Sequence, residues 1–155
     1  MPNLHIIIGD SNTRKSSLLR CLTGIGSGNA TRFMDVTETT GNVITVYCML
    51  SALQENYKPL LPAEFVKYIK ALRPVPTDIA ITLRVSPTRS YPAFSAYLQT
   101  FSQAGWGVVN VALLGPSACA QQAAIACPNI CAVTNSPLQP SNQTANQVRN
   151  AWGWV

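Results

Sequence analysis

Residues 4–22 decide the fold of this chain, and their sequence is LHIIIGDSNTRKSSLLRCL. Leu4 to Ile8 is a short run rich in β-branched residues, as in a buried strand, and Gly9 ends it. Ser16 to Leu22 has the composition of a helix, and Thr23-Gly24 ends it. This order of strand, glycine-opened loop and helix predicts the first unit of an α/β fold.

The same alternation continues along the rest of the chain. Further strands are predicted at 32–37, 43–50, 78–85, 108–114 and 130–134, further helices at 64–72, 93–103, 117–126 and 141–152, and a mobile loop at 24–29. Several strands are apolar on both faces. We therefore expect an α/β fold with three layers, in which a mostly parallel sheet of five to six strands carries helices on both faces. A chain of 155 residues fits a single domain over residues 1–155.

Composition excludes intrinsic disorder, because 47% of the residues are hydrophobic and only 11% are charged. No apolar run reaches the roughly 20 residues of a membrane helix, and no basic segment precedes the first apolar run. We expect no membrane association and a cytoplasmic location. The five cysteines are an odd number spread over apolar stretches, which favours reduced thiols. Cys127-x3-Cys131 lacks the further partners of a zinc site.

Charge is distributed unevenly, although the net value is +5. The acidic residues all lie in the first 78 positions: Asp10, Asp35, Glu38, Glu55, Glu64 and Asp78. Chemistry that needs a carboxylate must therefore draw on the first half of the chain. The basic residues form no cluster like that of a nucleic-acid interface, so the positive charge is weak evidence for a nucleic-acid partner, and a general anionic ligand fits equally well.

The loop after the first strand, Gly9-Asp10-Ser11-Asn12-Thr13-Arg14-Lys15-Ser16, resembles the Walker A motif GxxxxGK[ST] of the P-loop NTPase family. It matches at Gly9, Lys15 and Ser16, and it has Arg14 where the family has its second glycine. Such a loop turns backbone N–H groups and a helix N-terminus toward phosphate. The resemblance implies that ATP and Mg²⁺ bind at Gly9, Asp10, Ser11, Asn12, Thr13, Arg14, Lys15, Ser16 and Ser17, with Lys15 on the phosphates and Ser16 on the metal.

The family also has an acidic metal-organising residue, the Walker B aspartate, after a hydrophobic strand. The predicted strand 43–50 runs into Ser51 without an acid, so Asp35 is the best match and Glu38 is a second carboxylate nearby. We expect Ser16, Asp35 and Glu38 to hold the metal, since Mg²⁺ needs few protein oxygens. A solvated strand end is the alternative for both acids, and Glu55 is then a further candidate.

Two arginines, Arg84 and Arg89, flank the end of the predicted strand 78–85. Either fits the stabilisation of a transferring phosphoryl group, and Arg89 joins Lys15 as a candidate catalytic residue, with surface solubility as the alternative. Asn135-Ser136-Pro137 follows the last strand, where family members often contact the base. The guanine-reading sequence N-K-x-D is absent, which favours ATP over GTP.

Two functions follow from these residues. One is a nucleotide-binding enzyme with Mg²⁺-dependent hydrolysis or transfer of phosphate. The alternative is a nucleotide-binding, anion-binding or protein-interaction module without turnover. The helix predicted from Ala93 to Gln103 is uncharged, which favours a homo-oligomer interface there. Trp106, Trp152 and Trp154 are predicted to serve packing rather than base stacking.

Overall fold

A computed structural model describes residues 1–26, 28, 31–55 and 58–155 of the chain. Part of the predicted mobile loop 24–29, namely Ser27 and Asn29, lies outside the described residues.

The described residues form one six-stranded sheet in the order β2-β3-β4-β1-β5-β6. The strands are β1 (Asn3–Gly9), β2 (Phe33–Thr37), β3 (Val43–Cys48), β4 (Asp78–Leu83), β5 (Gly107–Leu114) and β6 (Asn129–Val133). β1 lies between β4 and β5 and is parallel to both, whereas β2 runs antiparallel to β3 at one edge. The prediction of an α/β fold with a mostly parallel sheet is confirmed.

Helices cover both faces of this sheet. They are α1 (Lys15–Thr23), α2 (Pro62–Ala71), α3 (Phe94–Gln103), α4 (Pro116–Cys119) and α5 (Ser141–Trp152). Alternate residues of β1 serve the two faces: Ile6 joins the core with α2 and α3, and Ile7 joins the core with α1 and α5. The predicted three layers are therefore present.

One predicted helix is wrong in extent. The segment 117–126 contains only the four-residue helix α4 and a 3-10 turn at Gln122–Ala124. Its buried side chains are few, Ala118 and Ile125. A short helix without a continuous apolar face lacks the packing that stabilises helices in proteins, so the segment breaks into two turns.

The three tryptophans are buried, as predicted for packing, with Trp106, Trp152 and Trp154 each no more than 5% exposed. Trp152 and Trp154 pack beside the imidazole of His5, at ring-centroid distances of 6.0 and 4.9 Å. Among the described residues, no helix is long and apolar enough to cross a membrane.

His5 is bonded at both ring nitrogens near the amino ends of the parallel strands. Its Nε2 lies 3.0 Å from Asp78 Oδ1, and its Nδ1 lies 2.8 Å from Nδ2, the side-chain amide nitrogen, of Asn110. Burial alone would raise the pKa of Asp78, but the hydrogen bond and charge of His5, with a bond from Thr77, outweigh burial and lower it. This network stabilises the sheet edge opposite the Gly9–Ser16 loop.

Candidate phosphate-binding site

The Gly9–Ser16 loop leaves the sheet at its centre. Gly9 ends β1, and the carboxyl ends of β4 and β5 lie on either side of it. In open parallel α/β sheets, ligands bind at this edge. The loop then leads directly into α1, so the first backbone N–H groups of that helix face the same edge.

Gly9 is required by close packing. A Cβ at this position would lie 2.4 Å from Thr13 Oγ1 and 2.9 Å from the carbonyl oxygen of Leu114. Because the second atom belongs to the backbone of β5, it has little freedom to move. The glycine therefore lets the loop fold back tightly over the end of the strand.

Arg14 adopts the conformation that a glycine favours. It precedes the first residue of α1 with φ 65° and ψ 35°, in the left-handed region. A residue with a Cβ loses on the order of 1–2 kcal/mol there. The loop thus keeps a glycine-like turn despite the departure from GxxxxGK, and the Arg14 guanidinium donates to the carbonyl of Gln139 at 3.3 Å.

Lys15 is buried, with 7% exposure, and is folded back onto its own loop. Its Nζ donates to the carbonyl oxygen of Asp10 at 2.8 Å, and Thr13 Oγ1 donates to the same oxygen at 2.7 Å. Burial lowers the pKa of Lys15, and Arg84 lowers it further, while the charges of Glu55 and Asp10 oppose the shift. A cation is therefore held in a partly desolvated position where an anion would stabilise it.

A cavity of about 340 Å³ opens over the loop. This volume lies in the range of small-molecule sites. Its lining residues come from the loop, from the start of α1 and from the segment after β3: Ser11, Asn12, Arg14, Lys15, Ser16, Ser17, Ser51, Ala52 and Glu55. Gly9, Asp10 and Thr13 shape the loop from beneath. The turn after β6 also reaches the loop, because Ser136 Oγ donates to the carbonyl of Thr13 at 3.3 Å.

Arg84 follows β4, the strand beside β1, and its side chain lies against the loop. Nη1 is 3.0 Å from Ser11 Oγ and 2.6 Å from Glu55 Oε1. Its Nε is buried and finds no hydrogen-bond partner within the described part of the chain, and the same holds for Asp10 Oδ1. Buried polar atoms without partners are rare in native proteins and point to a missing ligand or water.

The two carboxylates expected to hold the metal lie elsewhere. Asp35 is on the edge strand β2, three strands from β1 and hence about 14 Å away across the sheet. It is exposed and accepts a hydrogen bond from Thr45 at 2.7 Å. Because β2 is antiparallel, Glu38 lies past its end at the opposite edge of the sheet, where it bridges to Trp154. The structure therefore does not bring Asp35 and Glu38 together with Ser16.

Arg84, and not Arg89, is the arginine beside the loop. Arg89 is exposed in the turn that joins Thr88 to Tyr91. The predicted strand 78–85 includes Arg84 and lets its side chain point outward, which favoured Arg89, whereas β4 ends at Leu83. The useful signal was that Arg84 directly follows the apolar run 79–83, which becomes the neighbour of β1.

The remaining donors fit Mg²⁺ poorly. Ser16 Oγ donates to the carbonyl of Leu50 at 2.8 Å and keeps its lone pairs, but Glu55, the carboxylate lining the cavity, is paired with Arg84. Within residues 1–26, 28, 31–55 and 58–155, no three His, Cys, Asp or Glu side chains converge.

A larger cavity of about 560 Å³ lies beside α3, away from the loop. Its walls are apolar or uncharged, including Phe94, Leu98 and Trp106. It offers no charge for an anion. The large apolar residues of α3, Phe94, Tyr97 and Phe101, face the core, so self-association through this helix stays a prediction.

Comparisons of the chain with models of protein families, with curated proteins and with solved structures find no match.

Proposed function

We propose that the Gly9–Ser16 loop binds the phosphate chain of a nucleotide, with ATP preferred. The observation that carries the proposal is Lys15, whose ammonium is buried beside the cavity and lies 2.8 Å from a carbonyl oxygen of its own loop. Burying a cation costs free energy unless an anion compensates it. A phosphate that enters the cavity would supply that compensation.

Three further features support the same ligand. The N-terminus of α1 carries a partial positive charge and unpaired N–H groups toward the cavity. Arg14 and Lys15 line the cavity, with Arg84 beside it. The buried Arg84 Nε lacks a partner among the described residues and is available to an anion.

The alternative function, binding without turnover, gains support from the ion pair between Arg84 and Glu55. Phosphoryl transfer depends on positioning and on electrostatic stabilisation, usually with metal ions. The carboxylate at this cavity is neutralised by the guanidinium at 2.6 Å. We therefore favour a nucleotide-binding module over a Mg²⁺-dependent hydrolase or transferase.

A calorimetric titration tests the proposal. ATP and GTP are titrated into the protein with Mg²⁺ and with a chelator, and phosphate release is then measured. We expect ATP to bind, and Lys15→Ala to weaken binding by about 1–3 kcal/mol, the size of a charge-assisted hydrogen bond. Lys67→Ala, which removes an exposed lysine of α2, is the matched control. Unchanged ATP affinity in a folded Lys15→Ala variant would exclude the proposed role.

The preference for ATP rests on the absence of N-K-x-D near Asn135. Light scattering of the purified protein, with Leu98→Glu as the disrupting variant, tests the homo-oligomer predicted through α3. A monomer at all concentrations would remove that partner.

A further inference from the structure

Lys15, Arg84 and Glu55 form a charged cluster at the cavity. Glu55 is paired with one cation and acts on the other: its carboxylate is 2.6 Å from Arg84 Nη1, and its charge raises the pKa of Lys15 against the effect of burial. The guanidinium is also fixed by Ser11 of the loop, at 3.0 Å. The same side chain therefore touches both the loop and the acid that lines the cavity.

The contact between Arg84 and Glu55 is easily exchanged. The Arg84 side chain is 20% exposed and that of Glu55 is 34% exposed. Ion pairs that are this accessible to water contribute little to stability. An incoming phosphate can therefore take the place of the carboxylate while Glu55 turns toward water.

The Arg84 guanidinium has a further N–H group that can donate to a phosphate. Its Nη1 holds the present contacts, whereas its buried Nε has no partner within the described residues. Once Glu55 leaves Nη1, the two Nη atoms present a fork that matches two phosphate oxygens, and Nε is a further donor. Two neighbouring cations, Lys15 and Arg84, also disfavour a divalent cation in the same space.

We infer that Arg84 is the second phosphate-binding cation of the site, that Glu55 occupies it in the absence of ligand, and that phosphate chains bind here without a divalent cation. The inference rests on the proposed function and adds that the positive charge of Arg84 takes the place of a metal ion on the phosphates. It assigns the ligand class as an uncomplexed polyphosphate, either free or attached to a nucleoside.

The experiment uses ATP and inorganic triphosphate as probes, each titrated in chelator and in Mg²⁺. We expect the wild type to bind at least as tightly in chelator as in Mg²⁺. Arg84→Gln should weaken binding in chelator by about 10- to 100-fold, the effect of a lost charged hydrogen bond. Glu55→Gln should tighten binding about 2- to 5-fold by freeing the guanidinium.

Arg73→Gln is the matched control, because Arg73 is exposed, bonds carbonyls of its own turn, and precedes β4 at the opposite edge of the sheet. It should bind both probes like the wild type. Thermal melting verifies that each variant folds, and Arg84→Lys, which keeps the charge but loses the fork, replaces Arg84→Gln if that variant does not fold. Arg84→Lys should also weaken binding in chelator.

The outcomes separate the two proposals. If Lys15→Ala abolishes binding and Arg84→Gln does not change it, the phosphate site stands and the role of Arg84 is overturned. Wild-type binding that requires Mg²⁺ also overturns it. If neither probe binds in either buffer, the proposed function fails and this inference fails with it. Tighter binding of ATP than of triphosphate identifies a nucleotide, and equal binding identifies the phosphate chain alone.

Discussion

Replacing Lys15 by methionine should weaken ligand binding without destabilising the fold. Methionine keeps most of the aliphatic stem and removes the ammonium. A lysine kept for structural reasons would make the protein less stable when lost. A buried lysine that serves to bind a ligand lowers the stability of the ligand-free protein, so its replacement should leave the free energy of unfolding unchanged or raise it.

The magnitude follows from the contacts of Lys15. The substitution loses one hydrogen bond to the carbonyl of Asp10, worth about 1 kcal/mol, but that oxygen still accepts from Thr13 Oγ1 at 2.7 Å. It also removes a buried charge, whose pKa burial lowers below its ordinary value of 10.5. Relief of this desolvation opposes the loss of the hydrogen bond. We expect the free energy of unfolding at pH 7 to stay unchanged or to rise by about 1 kcal/mol.

The pH dependence has a definite sign. A lowered folded-state pKa means that the unfolded chain holds this proton more tightly, so the cost is fully present at neutral pH. The cost disappears as the pH rises from the folded-state pKa toward 10.5. The wild type should therefore gain stability relative to Lys15→Met as the pH rises through this range.

Urea denaturation followed by fluorescence of the buried tryptophans measures the change, and an ATP titration measures binding. Lys67→Met provides the control for loss of an exposed positive charge. A decrease of more than about 2 kcal/mol in the free energy of unfolding, with the control unchanged, would show that Lys15 is a structural tie. That result would contradict the expectation that the buried ammonium lowers the stability of the ligand-free protein.

Three further substitutions test the loop and the opposite edge of the sheet. Gly9→Ala places a Cβ 2.9 Å from a carbonyl oxygen of β5, so urea denaturation should show that the free energy of unfolding falls by about 2–4 kcal/mol. Gly28→Ala is the control: its Cβ would have no described atom within 4 Å, so the free energy of unfolding should change little. Arg14→Gly should change the free energy of unfolding by less than about 1 kcal/mol, because relief of the left-handed strain offsets the greater freedom of the unfolded chain. Asp78 has a lowered pKa, so its contribution is present above pH 3.8 and disappears as the pH falls through the folded-state value. Thermal melts of Asp78→Asn between about pH 5 and 2 should therefore show a flatter pH dependence than the wild type.

The local part of the structure was predictable because its signals are local. The apolar run before Gly9 and the helix former after it specify β1, the loop and α1 from neighbouring residues alone. The predicted helix 141–152 has the observed bounds of α5 for the same reason. Arg14 was the exception, since only the structure shows that an arginine adopts the left-handed turn there.

The pairing of the strands could not be predicted, and the acid assignment depended on it. In the structure, β3 and β4 lie between β1 and β2, the strand that carries Asp35. Because β2 is antiparallel to β3, Glu38 lies at the edge of the sheet opposite the Gly9–Ser16 loop. Pairing is decided by packing between residues far apart in the chain, and no periodicity within a strand records it.

Replacement of Glu55 distinguishes an enzyme from a binding module. Once a phosphate displaces it from Arg84, its carboxylate is free beside the cavity and can orient a water molecule for attack. A binding module has no use for that carboxylate, so Glu55→Gln should only tighten binding. In an enzyme the same substitution should tighten binding and reduce phosphate release by roughly 10²-fold or more. Single-turnover assays with saturating ATP, in chelator and in Mg²⁺, separate the two effects. Full turnover in Glu55→Gln would exclude Glu55 as the base, and absence of turnover in the wild type would leave Arg84 and Lys15 as a site for binding alone.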